Sequence, residues 1–109
     1  MILIVVKFRP KPEHADEWPA LMEPFTAATR AEPGNRGFDW FRHTEDPGLY
    51  VLVEAFADGA AGEEHVSSEH FRAAIAQLAS LLAETPEIIH VEVPGEGWSE
   101  MGEVTIPPG

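Results

Sequence analysis

The chain has 109 residues, enough for one domain with a modest core that oligomerisation would usefully reinforce. Acidic residues outnumber Lys and Arg by 19 to 7, and a net charge of −12 repels phosphate backbones and anionic lipid, which excludes nucleic-acid and membrane-surface partners. The absence of cysteine removes disulfides, thiolate nucleophiles, iron–sulfur clusters and cysteine-ligated zinc, and fits a reducing cytoplasm.

Ile2 to Phe8 is a β-branched run apolar on both faces, which predicts a strand covered on each side. It is too short to span a bilayer and has no basic residue before it, as a secretory signal would require. From Glu13 to Arg30 the apolar residues Trp18, Leu21, Met22, Phe25 and Ala28 recur at helical spacing. Pro19 and Pro24 lie inside that stretch, so a late start or a kink is expected. Glu32-Pro33-Gly34 ends the helix. A strand over 35–44 places Phe38 and Trp40 on one face and Asp39 and Phe41 on the other. After Asp46-Pro47-Gly48, a strand over 49–57 sets Tyr50, Leu52, Glu54 and Phe56 against Val51, Val53 and Ala55, and the two strands pair as a hairpin.

Beyond the glycine and alanine cluster at 59–62, a short helix runs to His65 or Val66, and Ser67 or Ser68 caps a longer one with Phe71, Ala74, Ile75, Leu78 and Leu82 on its buried face. Thr85-Pro86 stops it. The last strand, 87–93, alternates Ile89, Val91 and Val93 against Ile88, His90 and Glu92. The order β-α-β-β-α-β is the α+β ferredoxin-like motif, a four-stranded antiparallel sheet with both helices on one side. Its other side is also apolar, and no helix remains to cover it, so a second copy of the chain is the expected cover. Residues 1–94 form the domain. Residues 95–109 are a tail rich in Gly, Pro and Glu, with a short strand expected at Val104 to Ile106 and docking on the partner subunit as its expected role.

The segments TRAEPGNRGFDWFRHTEDPGLYVLVEAF and EEHVSSEHFRAAIAQLASLLAETPE resemble the antibiotic biosynthesis monooxygenase family, in particular its quinol-monooxygenase-like branch. The distinctive set is the EPG turn, the strand bearing Glu54, and the H-x-x-S-x-H-F signature at His65, Ser68, His70 and Phe71. The resemblance implies a dimer whose two sheets close into an α+β barrel, with a substrate pocket in each subunit between sheet and helices. It also implies oxygenation of electron-rich aromatics without flavin, haem or metal. Such chemistry needs a substrate that ionises to an electron-rich anion, an apolar pocket, a general base, and donors that steady developing charge.

On that reading His65 is the catalytic base, since imidazole titrates where a base is useful at neutral pH, and the competing reading is a histidine bonded within the helix junction. A carboxylate such as Glu64 is one candidate to hold the ring. The expected substrate-binding residues are Val5, Met22, Phe25, His70, Phe71 and Ile75, whose plainer role is core packing. Asp39 and Arg42 are possible contacts to a phenolic oxygen. Glu54 and His90, on otherwise apolar faces, are expected to pair across the sheet or the subunit interface. No metal site is expected, because positions 65 and 70 stand about 140° apart on a continuous helix, and only a break at Ser67 would join them.

The haem-degrading relatives of the superfamily use an Asn, Trp and His triad, whose positions fall here on Val5, His65 and Ile75, so haem degradation is disfavoured. The expected activity is a cofactor-independent monooxygenase acting on a quinol or related hydroxylated aromatic with molecular oxygen. The alternative is a non-catalytic module that binds a small aromatic metabolite in the same pocket.

Overall fold

A computed structural model describes residues 1–109. Strands β1 (Ile2–Phe8), β2 (Asn35–Arg42), β3 (Tyr50–Phe56) and β4 (Glu87–Glu92) form one antiparallel sheet in the order β2-β3-β1-β4. The ferredoxin-like expectation is met. Strand β1 lies between β3 and β4: Ile2, Ile4, Val6 and Phe8 are buried under the helices, while Leu3 and Val5 face the other way, half-buried.

The first helical stretch is broken outright. Helices α1 (Trp18–Leu21) and α2 (Glu23–Arg30) meet at Met22, which closes one and opens the next. Pro19 and Pro24 each occupy the second position of a helix, where a backbone N–H has no helical partner to lose. The break seats Trp18 and Met22 in the core, both fully buried, against Phe38, Leu52 and Phe56. Trp40 donates from Nε1 to Thr26 Oγ1 at 2.9 Å, locking β2 to α2.

The EPG turn packs against helix α3 (Gly59–Val66) closely enough that a Cβ on Gly34 would lie 2.4 Å from the Cβ of Ala61. Only glycine allows that approach. Asp58 caps α3 by accepting from the Ala61 N–H. Ser68 then joins α3 to α4 (Glu69–Leu81): its hydroxyl donates to the His65 carbonyl at 2.6 Å and accepts from the Phe71 N–H at 3.2 Å. Helix α4 buries Ala74 and Leu78, and Ile75 is half exposed.

The helices cover β1 to β3 but leave β4 exposed along its length. The face away from the helices carries Leu3, Val5, Val51, Val53 and Ala55, with Phe41, Ile89 and Val91 exposed beside them. Residues 95–109 contain no helix or strand, so the short strand expected at Val104 to Ile106 does not form, and a turn bond from the Val104 N–H to the Met101 carbonyl stands just before it. Val104 and Ile106 are exposed and lack a partner strand on which to pair. No helix is long and apolar enough to cross a membrane.

Candidate active site

Because β4 has no helix above it, the sheet, α3 and α4 leave a cleft of about 510 Å³ open along that edge. Its floor is Ile2, Ile4 and Val6 of β1, Leu52, Glu54 and Phe56 of β3, and Ile88 and His90 of β4; Phe25, His65, Phe71, Ile75 and Leu78 form its wall. The volume suits a small aromatic molecule. The ionisable lining consists of Glu54, Glu63, His65 and His90, with no lysine or arginine.

His65 is 3% exposed and sits among aromatic rings, tilted on Phe56 with centroids 4.8 Å apart and edge-on to Phe71 at 5.1 Å. Its Nδ1 lies 2.8 Å from Glu32 Oε2. The same oxygen also meets His70 Nε2 in a short hydrogen bond. A carboxylate oxygen placed between two imidazoles can accept from both, and in a neutral imidazole a proton held on Nδ1 by Glu32 would leave the Nε2 lone pair free. His65 Nε2 faces Glu54, whose Oε1 is 3.6 Å away. Burial, and then the charge of Glu32, push the Glu54 carboxyl up from 4.5 to about 7.

The sequence elements explain the convergence. The Gly34 approach presses the EPG turn, and with it Glu32, onto α3. The helix break at Ser67 brings the two histidine rings to a centroid distance of 6.1 Å, although their spacing on one continuous helix would have separated them. Glu32 Oε2, His65 Nδ1 and His70 Nε2 lie within 4.8 Å of one another, a donor set that could hold a divalent ion.

The structure places His65, Phe25, Phe71 and Ile75 on the cleft. His70 does not line it and reaches it only through Glu32. Val5 and Met22 do not belong to it. Val5 alternates onto the opposite face of the sheet, where it lines a separate hollow of about 210 Å³ with Trp98, and Met22 is sealed in the core by the break between α1 and α2. Asp39 and Arg42 are likewise remote, paired on the surface with Arg30 and Asp16. Glu64 is exposed and leaves the imidazole to Glu32. Glu54 and His90 do not pair, because Ile4 stands between them in register; Glu54 faces His65 instead.

The sequence profile described as antibiotic biosynthesis monooxygenase matches residues 1–77, which include Glu32, Glu54, His65 and His70. The chain belongs to the antibiotic biosynthesis monooxygenase family. Among members and relatives it is similar to the YcnE protein of Bacillus subtilis (strain 168), 27% identical over 93 residues that span 85% of this chain and 98% of that one. It is also similar to Rv0793 of Mycobacterium tuberculosis, at 32% identity over 81 residues, 74% of this chain and 79% of that protein. The solved structure of Rv0793 superposes with a TM-score of 0.79 at 27% identity, covering 89% of this chain and 98% of the other. A crystal structure described as an antibiotic biosynthesis monooxygenase superposes at 0.77, with 25% identity, over 87% of this chain and all of the other.

Proposed function

We propose that this family member is a cofactor-independent monooxygenase that oxidises a quinol or related hydroxylated aromatic with molecular oxygen. The observation that supports the reading is the apolar cleft lined by a buried histidine whose Nδ1 is held by Glu32. His65 removes the phenolic proton, and the electron-rich phenolate gives one electron to oxygen. The radical and superoxide combine at a ring carbon that bears hydrogen. The peroxide takes a proton, the ring carbon then loses its hydrogen as the O–O bond breaks, and the departing hydroxide is protonated to water. A quinol and one oxygen molecule thus become a hydroxylated quinone and one water. Phe25, Phe71 and Ile75 hold the ring by apolar contact and keep water from the anion.

The working unit on this reading is a cytoplasmic homodimer, the second copy covering the apolar face that carries Val5, Val51 and Val53. Residues 95–109 pack at that boundary, where Trp98 already lines the hollow beside Val5.

The test is oxygen uptake by metal-free protein with a panel of reduced quinones. Saturable uptake with a hydroxylated product is the expected result. Saturable binding with no product from any of the panel would replace the enzyme by a module that holds an aromatic metabolite.

A further inference from the structure

We propose that Glu32, His65 and His70 form a binding site for a divalent transition ion, zinc in particular, and that the ion silences His65 when it binds. The binding rests on the three side chains and their surroundings, whereas the silencing rests on the monooxygenase reading.

The donors come from three parts of the chain. Glu32 follows α2, His65 lies in the last turn of α3 and His70 in the first turn of α4, and their ligand atoms stand within 4.8 Å of one another. Each is held in place by contacts of its own. The Glu32 N–H donates to the Thr29 carbonyl at 3.0 Å, and the Glu32 carbonyl accepts from the Asn35 N–H at 3.1 Å, so the turn fixes the backbone on both sides of the carboxylate. Phe56 and Phe71 pack against the His65 ring, and Ser68 ties the start of α4 to the His65 carbonyl. Ligands ordered in this way lose little side-chain freedom when an ion arrives.

Charge favours a cation here. Asp16, Asp39, Asp46 and Glu84 each pair with an arginine, whereas the ionic partners of Glu32 are the two imidazoles. An entering ion therefore displaces no lysine or arginine. Two imidazole nitrogens and one carboxylate oxygen are the protein ligands of three-residue zinc sites that keep an open position. Magnesium and calcium prefer all-oxygen sets and are disfavoured. The half-buried His70 gives the ion a way in from solvent.

The present contacts close around protons. Glu32 Oε2 lies 2.8 Å from His65 Nδ1 and accepts a short hydrogen bond from His70 Nε2. Two ligands of a tetrahedral zinc, each about 2.0–2.2 Å from it, lie about 3.3 Å apart, so Glu32 need retreat by less than about 1 Å. The ion then sits on the Nδ1 side of the ring, away from the cleft, because neither Glu32 nor His70 lines the cleft. Coordination at Nδ1 puts the proton of the neutral ring on Nε2, the nitrogen that faces Glu54. An imidazole in that form has no lone pair for a phenolic proton.

Calorimetric titration of metal-free protein with Zn²⁺ should show one ion per chain, and Co²⁺ in its place should give the visible absorption of a tetrahedral site. His70→Ala and Glu32→Gln should each weaken Zn²⁺ binding at least about tenfold and lose the cobalt spectrum, while His14→Ala, at a surface histidine, should bind as wild type does. Circular dichroism establishes that each variant is folded. Quinol turnover of wild type should fall as Zn²⁺ saturates this site, and in His70→Ala the same fractional loss should need at least about tenfold more ion. Wild type that binds neither ion would overturn the proposal, as would full affinity in both His70→Ala and Glu32→Gln. Zinc that occupies the triad and leaves turnover unchanged would overturn the silencing. Wild-type protein that oxidises no quinol would refute the monooxygenase reading, while the titrations and the cobalt spectrum would still decide the site.

Discussion

Replacing Glu54 by Gln should make the protein more stable at alkaline pH and change little in acid. The folded chain holds the Glu54 proton with a pKa of about 7 against 4.5 for an unperturbed carboxyl, so unfolding releases a proton between those values. The contribution of this residue to stability is therefore greatest below 4.5, declines as pH rises towards 7, and stays low above it. The interval from 4.5 to about 7, at about 1.36 kcal/mol per pH unit, amounts to about 3 kcal/mol. Glutamine fills the same space without ionising and does not incur that loss. Urea unfolding at about pH 5 and about pH 8 should show the two proteins drawing apart by about 2–3 kcal/mol at the higher pH, equivalent to roughly 10 °C in melting temperature for a chain of this size. A stability difference that stays constant across pH would refute the reasoning, because Glu54 would then ionise alike in the folded and unfolded chain.

Other outcomes follow from the same geometry. His65→Ala should lower quinol turnover by about two to four orders of magnitude at neutral pH, with partial recovery as pH rises and more substrate ionises unaided, measured by oxygen uptake. Glu32→Gln should leave the cleft open yet reduce turnover by about two orders of magnitude or more, since the amide can orient His65 in the wrong tautomer; nitrogen NMR of the ring reads that change directly. Gly34→Ala places a methyl 2.4 Å from the Ala61 Cβ, and thermal melts should show a loss of about 1–3 kcal/mol. Sedimentation at micromolar concentration should report a dimer, and a compact monomer would remove the proposed cover of the apolar sheet face.

Much of the fold was legible because the strands alternate cleanly. Tyr50, Leu52, Glu54 and Phe56 occupy the buried face that period-two reading assigns them, and β1 lies inside the sheet with Ile2, Ile4, Val6 and Phe8 buried on one face and Leu3 and Val5 half-buried on the other. The H-x-x-S-x-H-F signature and helical spacing pick out His65, Phe71 and Ile75, which line the cleft. Glu32 was not, since its role depends on how closely the EPG turn meets α3. The signal lay in Gly34, read as a helix stop when it also permits a contact with Ala61. Glu54 stood out as an isolated charge on an apolar face, but the strand register that puts Ile4 between it and His90 is not written in either strand alone. Val5 was misplaced for a related reason: a strand apolar on both faces does not say which face meets the helices.

The hydrogen-bonded link between Glu32 and the two histidines joins residues 33 and 38 positions apart in the chain. Glu32 follows α2, and His65 and His70 belong to α3 and α4, so neither half of the chain contains the site by itself. The network requires the turn after α2 to dock on α3 and α4. Partial opening along that seam would separate the imidazoles from their shared carboxylate while the sheet stayed intact. Loss of the network should thus precede global unfolding, and hydrogen exchange at the EPG turn would record the earliest departure from the competent state.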